Sequence, residues 1–266
     1  MITRFIGAGA AAIALAASPA GACDEIVINE IRIDQPGTDL DEYFEIIGPV
    51  DASLDGIFYV VIGDGPGGSG VIEEVVDLTG WTTGATGFLV VAESTFTLGA
   101  ADLVTSLNFE NGDKTTHMLV SLFTGANGDD LDLDDDGVLD VEPWDSVLCS
   151  VSLVKEPNPD GTTEEFYYGI NTVGPDGAFP PAHAIRCDTL AGVWSYGPFD
   201  PLGGLDTPGD VNVCPAGDLN GDSMVDPTDL AILLAEWGVC INCHADLDLD
   251  EMVGPSDLAI LLANWG

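Results

Sequence analysis

Short apolar runs separated by Gly, Pro and Asp fill the chain from residue 24 to about residue 212. Runs rich in Val, Ile, Phe and Tyr fall at 26–33, 43–47, 58–62, 71–78, 87–91, 117–123, 146–154 and 165–169. No long segment of 3.6-residue period interrupts them. Strand-sized runs bounded by turn formers predict an all-β antiparallel sandwich of the immunoglobulin-like kind. A minimal sandwich takes about 100 residues, so long loops or extra strands are expected here. The pattern changes near the C-terminus. Leu230, Leu233, Leu234 and Trp237 fall at i, i+3, i+4 and i+7, and Leu258, Leu261, Leu262 and Trp265 repeat that spacing. Pro227 and Pro255 stand at first-helical-turn positions, and Gly238 and Gly266 follow the last apolar residues. Two short helices are predicted, each unable to bury its stripe alone but able to do so against the other.

Each helix is preceded by a loop with the same polar spacing. Residues 217–238 and 245–266 are copies offset by 28 residues, identical at 15 of 22 positions. Oxygen-bearing side chains recur at loop positions 1, 3, 5 and 12: Asp218, Asn220, Asp222 and Asp229, then Asp246, Asp248, Asp250 and Asp257. The position-7 carbonyls belong to Met224 and Met252, and Asp226 adds a position-9 carboxylate in the first copy only. That spacing wraps a backbone around one hard cation and offers it six or seven oxygens, which points to calcium. Position 6, where Gly makes the sharp turn, holds Ser223 and Glu251, and a side chain there costs about 1 kcal/mol. Gly254 leaves position 9 of the second loop to water, so the first loop is expected to bind more tightly.

The tandem of calcium loops, each followed by a single helix, resembles a dockerin module over residues 213–266. The resemblance implies a small all-α module and calcium-dependent attachment to a cohesin-like or other extracellular protein. In dockerins, positions 10 and 11 help select the cohesin. Thr228 and Ser256 supply fitting hydroxyls at position 11, whereas Pro227 and Pro255 depart from the common pattern at position 10.

A second resemblance covers residues 23–212. Ile28-Asn29-Glu30 opens the region, Asp41-Glu42-Tyr43-Phe44-Glu45 follows, then Leu54-Asp55-Gly56, and Pro208-Gly209-Asp210-Val211-Asn212 closes it. This order is similar to the lamin-tail domain, an immunoglobulin-like sandwich found also in exported bacterial proteins attached to varied enzymes and surface proteins. The middle of the chain is longer than that pattern. Glu30, Glu42 and Glu45 could form an acidic catalytic cluster, but alternating strand positions favour a structural or solvated role.

A third acidic loop lies inside the sandwich region. Asp132, Asp134, Asp136, Gly137 and Asp140 occupy positions 1, 3, 5, 6 and 9 of a calcium loop, with the Val138 carbonyl at position 7. Position 12 is Pro143, so Glu142 or Asp145 is expected to close the shell. Five aspartates between residues 130 and 136 repel one another unless a cation sits among them.

Residues 1–22 read as a secretory signal peptide, with Arg4, an Ala/Ile/Leu run and Ala20-Gly21-Ala22 before the cut. The six cysteines, Cys23, Cys149, Cys187, Cys214, Cys240 and Cys243, suggest disulfides in an exported chain. Six allow 15 pairings. The preferred set joins Cys149 to Cys187 and pairs Cys214, Cys240 and Cys243 among themselves. Cys240-Ile-Asn-Cys243-His244 has the c-type haem spacing, but it sits in a short linker where a disulfide is the better reading. The chain carries 46 acidic and 5 basic residues, and loss of Arg4 with the leader makes its net charge −42. Such a charge repels nucleic acid and anionic membranes and attracts divalent cations. No apolar run is long enough to insert in a membrane. The Gly-rich run 63–70 lacks the Lys and helix of a phosphate loop and reads as a flexible hairpin tip. Three scattered histidines and the absence of a nucleophile elbow leave no catalytic constellation. The expectation is a secreted, non-catalytic calcium-binding protein of the cell surface or a scaffold. The alternative is a polymer-degrading hydrolase tethered by its dockerin-like module.

Overall fold

The computed structural model describes residues 25–66, 68–155, 166–187, 193–200, 205–240, 245–248 and 250–266. The described residues form mostly β-sheet with two short helices. One sheet contains β1 (Val27–Arg32), β2 (Tyr43–Ile47), β5 (Phe88–Ala92), β6 (Leu103–Val104), β10 (His183–Cys187) and β11 (Val193–Gly197). Their order is β11-β10-β1-β2-β5-β6. The other contains β3 (Ile57–Gly65), β4 (Gly68–Asp77), β7 (Thr115–Ser121), β8 (Ser146–Leu153) and β9 (Asn171–Val173), in the order β4-β3-β7-β8-β9. Pairing is antiparallel except for β5 with β6 and β8 with β9.

Period-two alternation, shifted in β1 by a bulge between Ile28 and Glu30, decides which side chains face the space between the sheets. Ile28, Ile31, Phe44 and Ile46 from one sheet meet Tyr59, Val61, Leu119, Val151 and Leu153 from the other in a single buried cluster. The Phe44 and Tyr59 rings stack with centroids 3.6 Å apart. The alternate residues of the second sheet, Val60, Ile62, Ile72, Met118 and Val120, form a separate cluster on its outer face, covered by Leu131, Leu139 and Trp144. The segment 131–144 is therefore a lid packed through its apolar residues, and its aspartates project between them.

The outer face of the first sheet buries charge instead. Arg32, with no exposed surface, donates to both oxygens of Asp206 at 2.5 Å each. His183 Nε2 lies 2.7 Å from Glu30 Oε1. The Thr207 amide donates to Glu30 at 3.1 Å, the Gly209 amide donates to Glu45, and Asn212 Nδ2 donates to the carbonyls of Asn29 and Arg186 at 2.9 Å. The closing motif at 208–212 thus ties itself to the opening motif at 28–30 and to Glu45. Glu30, Glu42 and Glu45 are buried, which excludes the solvated alternative; Glu30 and Glu45 are structural members of this face, whereas Glu42 accepts from the Phe109 amide at 3.1 Å.

Seven of the eight expected strand runs coincide with β1, β2, β3, β4, β5, β7 and β8. The run at 165–169 does not: residues 166–169 are not strand, β9 starts at Asn171, and residue 165 lies outside the described residues. Two expectations on cysteine pairing fail. Cys187 is bonded to Cys214, with Cα atoms 5.7 Å apart, so neither cysteine is available for the expected partners. Cys149 and Cys240 are also disulfide-bonded. The reading of residues 1–22 and the Cys243-His244 part of the haem-like spacing lie outside the described residues.

The C-terminal repeats form α1 (Pro227–Ala235) and α2 (Pro255–Ala263), each with Pro at its start as expected. The region is not purely helical. Strand β12 (Gly238–Val239), after α1, pairs with β13 (Met252–Val253) in the second loop. Gly266, after α2, donates its amide to Val225 O in the first loop at 3.1 Å. Each helix therefore hands its trailing glycine to the other repeat. Val225, Leu233, Val253 and Leu261 are buried between the repeats, as two half-cores that are incomplete alone. The apolar stripe is only half used, however. Leu234, Trp237, Leu262 and Trp265 are exposed, at 53%, 46%, 52% and 43%, because a two-helix layer has only one inner face. Among the described residues, no helix is long and apolar enough to cross a membrane.

Burial pushes the Glu42 carboxyl up to about 8, with the Glu93 carboxylate adding to it against a hydrogen bond from the Phe109 amide. Burial likewise holds Glu45 at about 8. A carboxyl raised on folding stabilises the fold fully below its unfolded value of about 4.5, and that stability is lost as pH rises through the folded value. The thermal midpoint measured in chelator should fall from pH 5 to pH 9, and Glu42→Gln should shrink the fall by several degrees. An identical fall in the variant contradicts the assignment.

Candidate metal centres

Three loops share one hydrogen-bonding plan. The position-1 carboxylate turns back to accept from the amides of positions 5 and 6. Asp218 takes Asp222 N at 3.1 Å and Ser223 N at 2.9 Å. Asp246 takes Asp250 N at 3.0 Å and Glu251 N at 2.8 Å. Asp132 takes Asp136 N at 3.2 Å and Gly137 N at 2.9 Å. The position-5 carboxylate then accepts from the amide of position 7, at 2.9 Å in each case, from Met224 to Asp222, Met252 to Asp250 and Val138 to Asp136. The amides fold each loop back on its position-1 carboxylate, and in the second tandem loop and the sandwich loop the side-chain oxygens of positions 1, 3 and 5 converge.

Asp229 and Asp257 close the two C-terminal loops. Asp229 Oδ1 accepts from Leu219 N at 2.7 Å, and its Oδ2 accepts from Asp226 N at 2.8 Å. Asp257 repeats this with Leu247 N and Gly254 N, each at 2.7 Å. Both carboxylates are fully buried at the first turn of their helices. Burial opposes the charge on Asp257, but the amides of Gly254, Leu247 and Asp248 outweigh it and hold the carboxyl below its usual range. In the third loop, the closing role falls to Asp140 at position 9. Its Oδ2 accepts from Leu133 N, the position-2 amide, at 2.9 Å. Glu142 and Asp145, the expected closers, are exposed, and the Pro143 carbonyl is engaged by Thr124 N at 2.8 Å. The chain leaves the loop too early for a position-12 ligand, so the shorter reach of position 9 substitutes.

The donor set fits a hard divalent cation. One oxygen from each of Asp132, Asp134 and Asp136 lies within 4.8 Å of the others, and the same holds for Asp246, Asp248 and Asp250. Calcium–oxygen bonds of about 2.4 Å put two ligands on opposite sides of one ion at about that separation. Neither group contains a nitrogen or sulfur donor, which disfavours zinc. The Asp136 carboxylate, together with burial and with Asp140, Asp132 and Asp135, pushes Asp134 above its usual range. Burial raises Asp218 despite its hydrogen bonds from Ser195, Ser223 and Gly221. In the first loop, Asn220 Nδ2 donates to Asp222 Oδ2 at 2.9 Å, so the neutral amide relieves one repulsion.

Position 6 carries the strain anticipated from its side chains. Ser223 has φ 63° and Glu251 φ 68°, whereas Gly137 takes φ 85° without penalty. The Gly-rich run 63–70 also serves the third loop. It forms the turn end of the β3-β4 hairpin, where Gly65 pairs with Gly68, as the sequence suggested. Ser69 N donates to Asp135 Oδ1 at 2.9 Å. A Cβ on Gly70 would stand 2.5 Å from the Asp132 Cβ, so only Gly allows this approach.

Two further groups meet the geometric requirement for a cation. Glu30, His183 and Asp206 cluster, but the Arg32 guanidinium already neutralises Asp206 there. Asp64, Glu110 and Asp113 form the other group; Asp64 and Glu110 border a cavity of about 440 Å³, and Lys155 Nζ lies 2.6 Å from Asp113. His117 is fully buried, 2.6 Å from the Tyr59 hydroxyl, and burial pushes it down to about 3. It is a neutral core histidine. A disulfide-bonded Cys240 leaves its sulfur unavailable for a haem thioether.

Comparison with protein-family models, with curated proteins and with solved structures finds no match to this chain.

Replacing Glu251 by Gly should remove the positive-φ strain and tighten calcium at the second loop by about fivefold, the equivalent of about 1 kcal/mol. Calorimetric titration checks this. Unchanged or weaker binding refutes the strain argument.

Proposed function

We propose that this is a secreted, non-catalytic calcium-binding protein in which a lamin-tail-like sandwich is displayed and a dockerin-like C-terminal tandem provides attachment to an extracellular protein. The observation that carries the reading is the common hydrogen-bonding plan of the three loops at 132–140, 218–229 and 246–257. Asp132, Asp134, Asp136 and Asp140 with the Val138 carbonyl serve the sandwich site. Asp218, Asn220, Asp222, Asp226 and Asp229 with the Met224 carbonyl serve the first tandem site. Asp246, Asp248, Asp250 and Asp257 with the Met252 carbonyl serve the second.

Attachment is supported by the unused half of the helical stripe. Leu234, Trp237, Leu262 and Trp265 expose apolar surface on a segment that has ten carboxylates and no Lys or Arg between residues 214 and 266. Large exposed aromatics rimmed by charge mark protein contact surfaces. Bound calcium lowers the local negative charge and so makes such a contact accessible to a wider range of partners.

Calorimetric titration of the chelator-treated chain should show three calcium sites, and Asp132→Asn, Asp218→Asn and Asp246→Asn should each remove one. Asp218→Asn should remove the tighter of the two tandem events, because the first loop has a position-9 carboxylate and the second has Gly254. A chain that takes up no calcium at millimolar concentration refutes the reading. Capture of extracellular proteins on the immobilised chain should be lost in chelator and in Trp237→Ala combined with Trp265→Ala.

A further inference from the structure

Two of the three position-1 carboxylates receive a hydroxyl that the loop pattern does not require. Tyr168 donates to Asp132 Oδ2 at 2.7 Å. Ser195, in β11 and 1% exposed, donates to Asp218 Oδ2 at 2.9 Å. Among the described residues, Asp246 Oδ2 takes only the amide of Glu251.

The Ser195 contact belongs to a wider seam. Strand β11 is the end strand of its sheet, and β10 occupies one side of it. The first loop lies along the other side. Tyr196 N donates to Gly221 O at 3.0 Å, and Ser223 Oγ donates to Tyr196 O. Gly221 has φ 79°, and a Cβ there would stand 2.9 Å from Trp194 O. The Cys187–Cys214 disulfide fixes the end of β10 to the chain just before this loop. Loop positions 1, 4 and 6 therefore satisfy the polar groups of a sheet edge that would otherwise stand open.

We propose that Ser195 is a positioning residue for the first loop, so that capture of a divalent cation at Asp218 and closure of the β11 edge form one linked equilibrium. The second loop binds its ion independently of the sheet. This rests on the calcium reading above. A cation that holds positions 1, 3 and 5 together also holds the carbonyl of Gly221 and the hydroxyl of Ser223 against Tyr196. By linkage, a loop already braced by Ser195 binds the cation more tightly, and the same coupling appears as added protection of the edge. The position-6 serine, unfavourable in a free loop, is retained at a place where its hydroxyl makes the seam.

The test uses the full chain, calcium as the probe, calorimetry for affinity and amide hydrogen exchange at Tyr196 for the edge. Calcium should slow Tyr196 exchange in the parent chain and in Asp246→Asn. Ser195→Ala should weaken only the first-loop event, by roughly tenfold, the size of a hydrogen bond to a charged acceptor. It should also speed Tyr196 exchange in calcium while leaving the second-loop affinity unchanged. Gly221→Ala, which wedges the loop off the strand from the other side, should reproduce both effects. Calcium binding with no response at Tyr196, or a first-loop affinity unchanged in Ser195→Ala, overturns the proposal alone. Absence of calcium binding in every protein overturns the calcium reading and this proposal with it.

Discussion

Repulsion among carboxylates is the constraint around which this molecule is arranged. Forty-six acidic side chains face five basic ones, and few of the acids can find a cationic partner. Arg32 serves Asp206 and Lys155 serves Asp113. In the acidic loops backbone amides do the work. Asp132, Asp218 and Asp246 each collect amides from their own loop, and Asp229 and Asp257 collect them at the start of a helix. Amides orient carboxylates but carry no net charge, so convergence at positions 1, 3 and 5 of the sandwich loop and the second tandem loop leaves a deficit that a divalent cation would remove. On the proposed calcium reading, neutralising these aspartates favours the compaction that buries Leu233 and Leu261 between the repeats.

The same constraint explains the placing of the third loop. An acidic excursion from a sandwich is ordinarily free to move. Here Leu131 and Leu139 pin it over the outer face of the second sheet, Gly70 admits Asp132 to close range, and Tyr168 supplies a hydroxyl. Apolar anchoring on either side of the aspartates fixes the loop without needing charge. In the first sheet, buried Glu30 and Glu45 are held by Thr207 and Gly209 instead.

Features that depend on short-range spacing were legible in the sequence. The polar spacing within twelve residues, proline at a helix start and period-two strands all follow from local geometry, so the loops, both helices and seven strands could be placed. Contacts that join distant segments could not. Ser195 is 23 residues from Asp218, and Tyr168 is 36 from Asp132, and nothing in either serine or tyrosine marks it for that role. The Cys187–Cys214 bond depends on where β10 ends relative to the tandem. Strands β10 and β11 are short and carry His183, Arg186 and Ser195, so their apolar signal is weak. Asp140 stands at an expected loop position, but its bond to the position-2 amide of Leu133 depends on the path the chain takes towards Pro143.

The most direct test follows amide exchange at Leu233 and Leu261 in the full chain, with Phe44 of the sandwich core as an internal reference. In calcium, the two helical amides should be protected. In chelator they should exchange at rates close to those of an unfolded segment while Phe44 remains protected, because cation binding supplies the free energy that folds the tandem. Equal protection of Leu233 and Leu261 in calcium and in chelator contradicts the account.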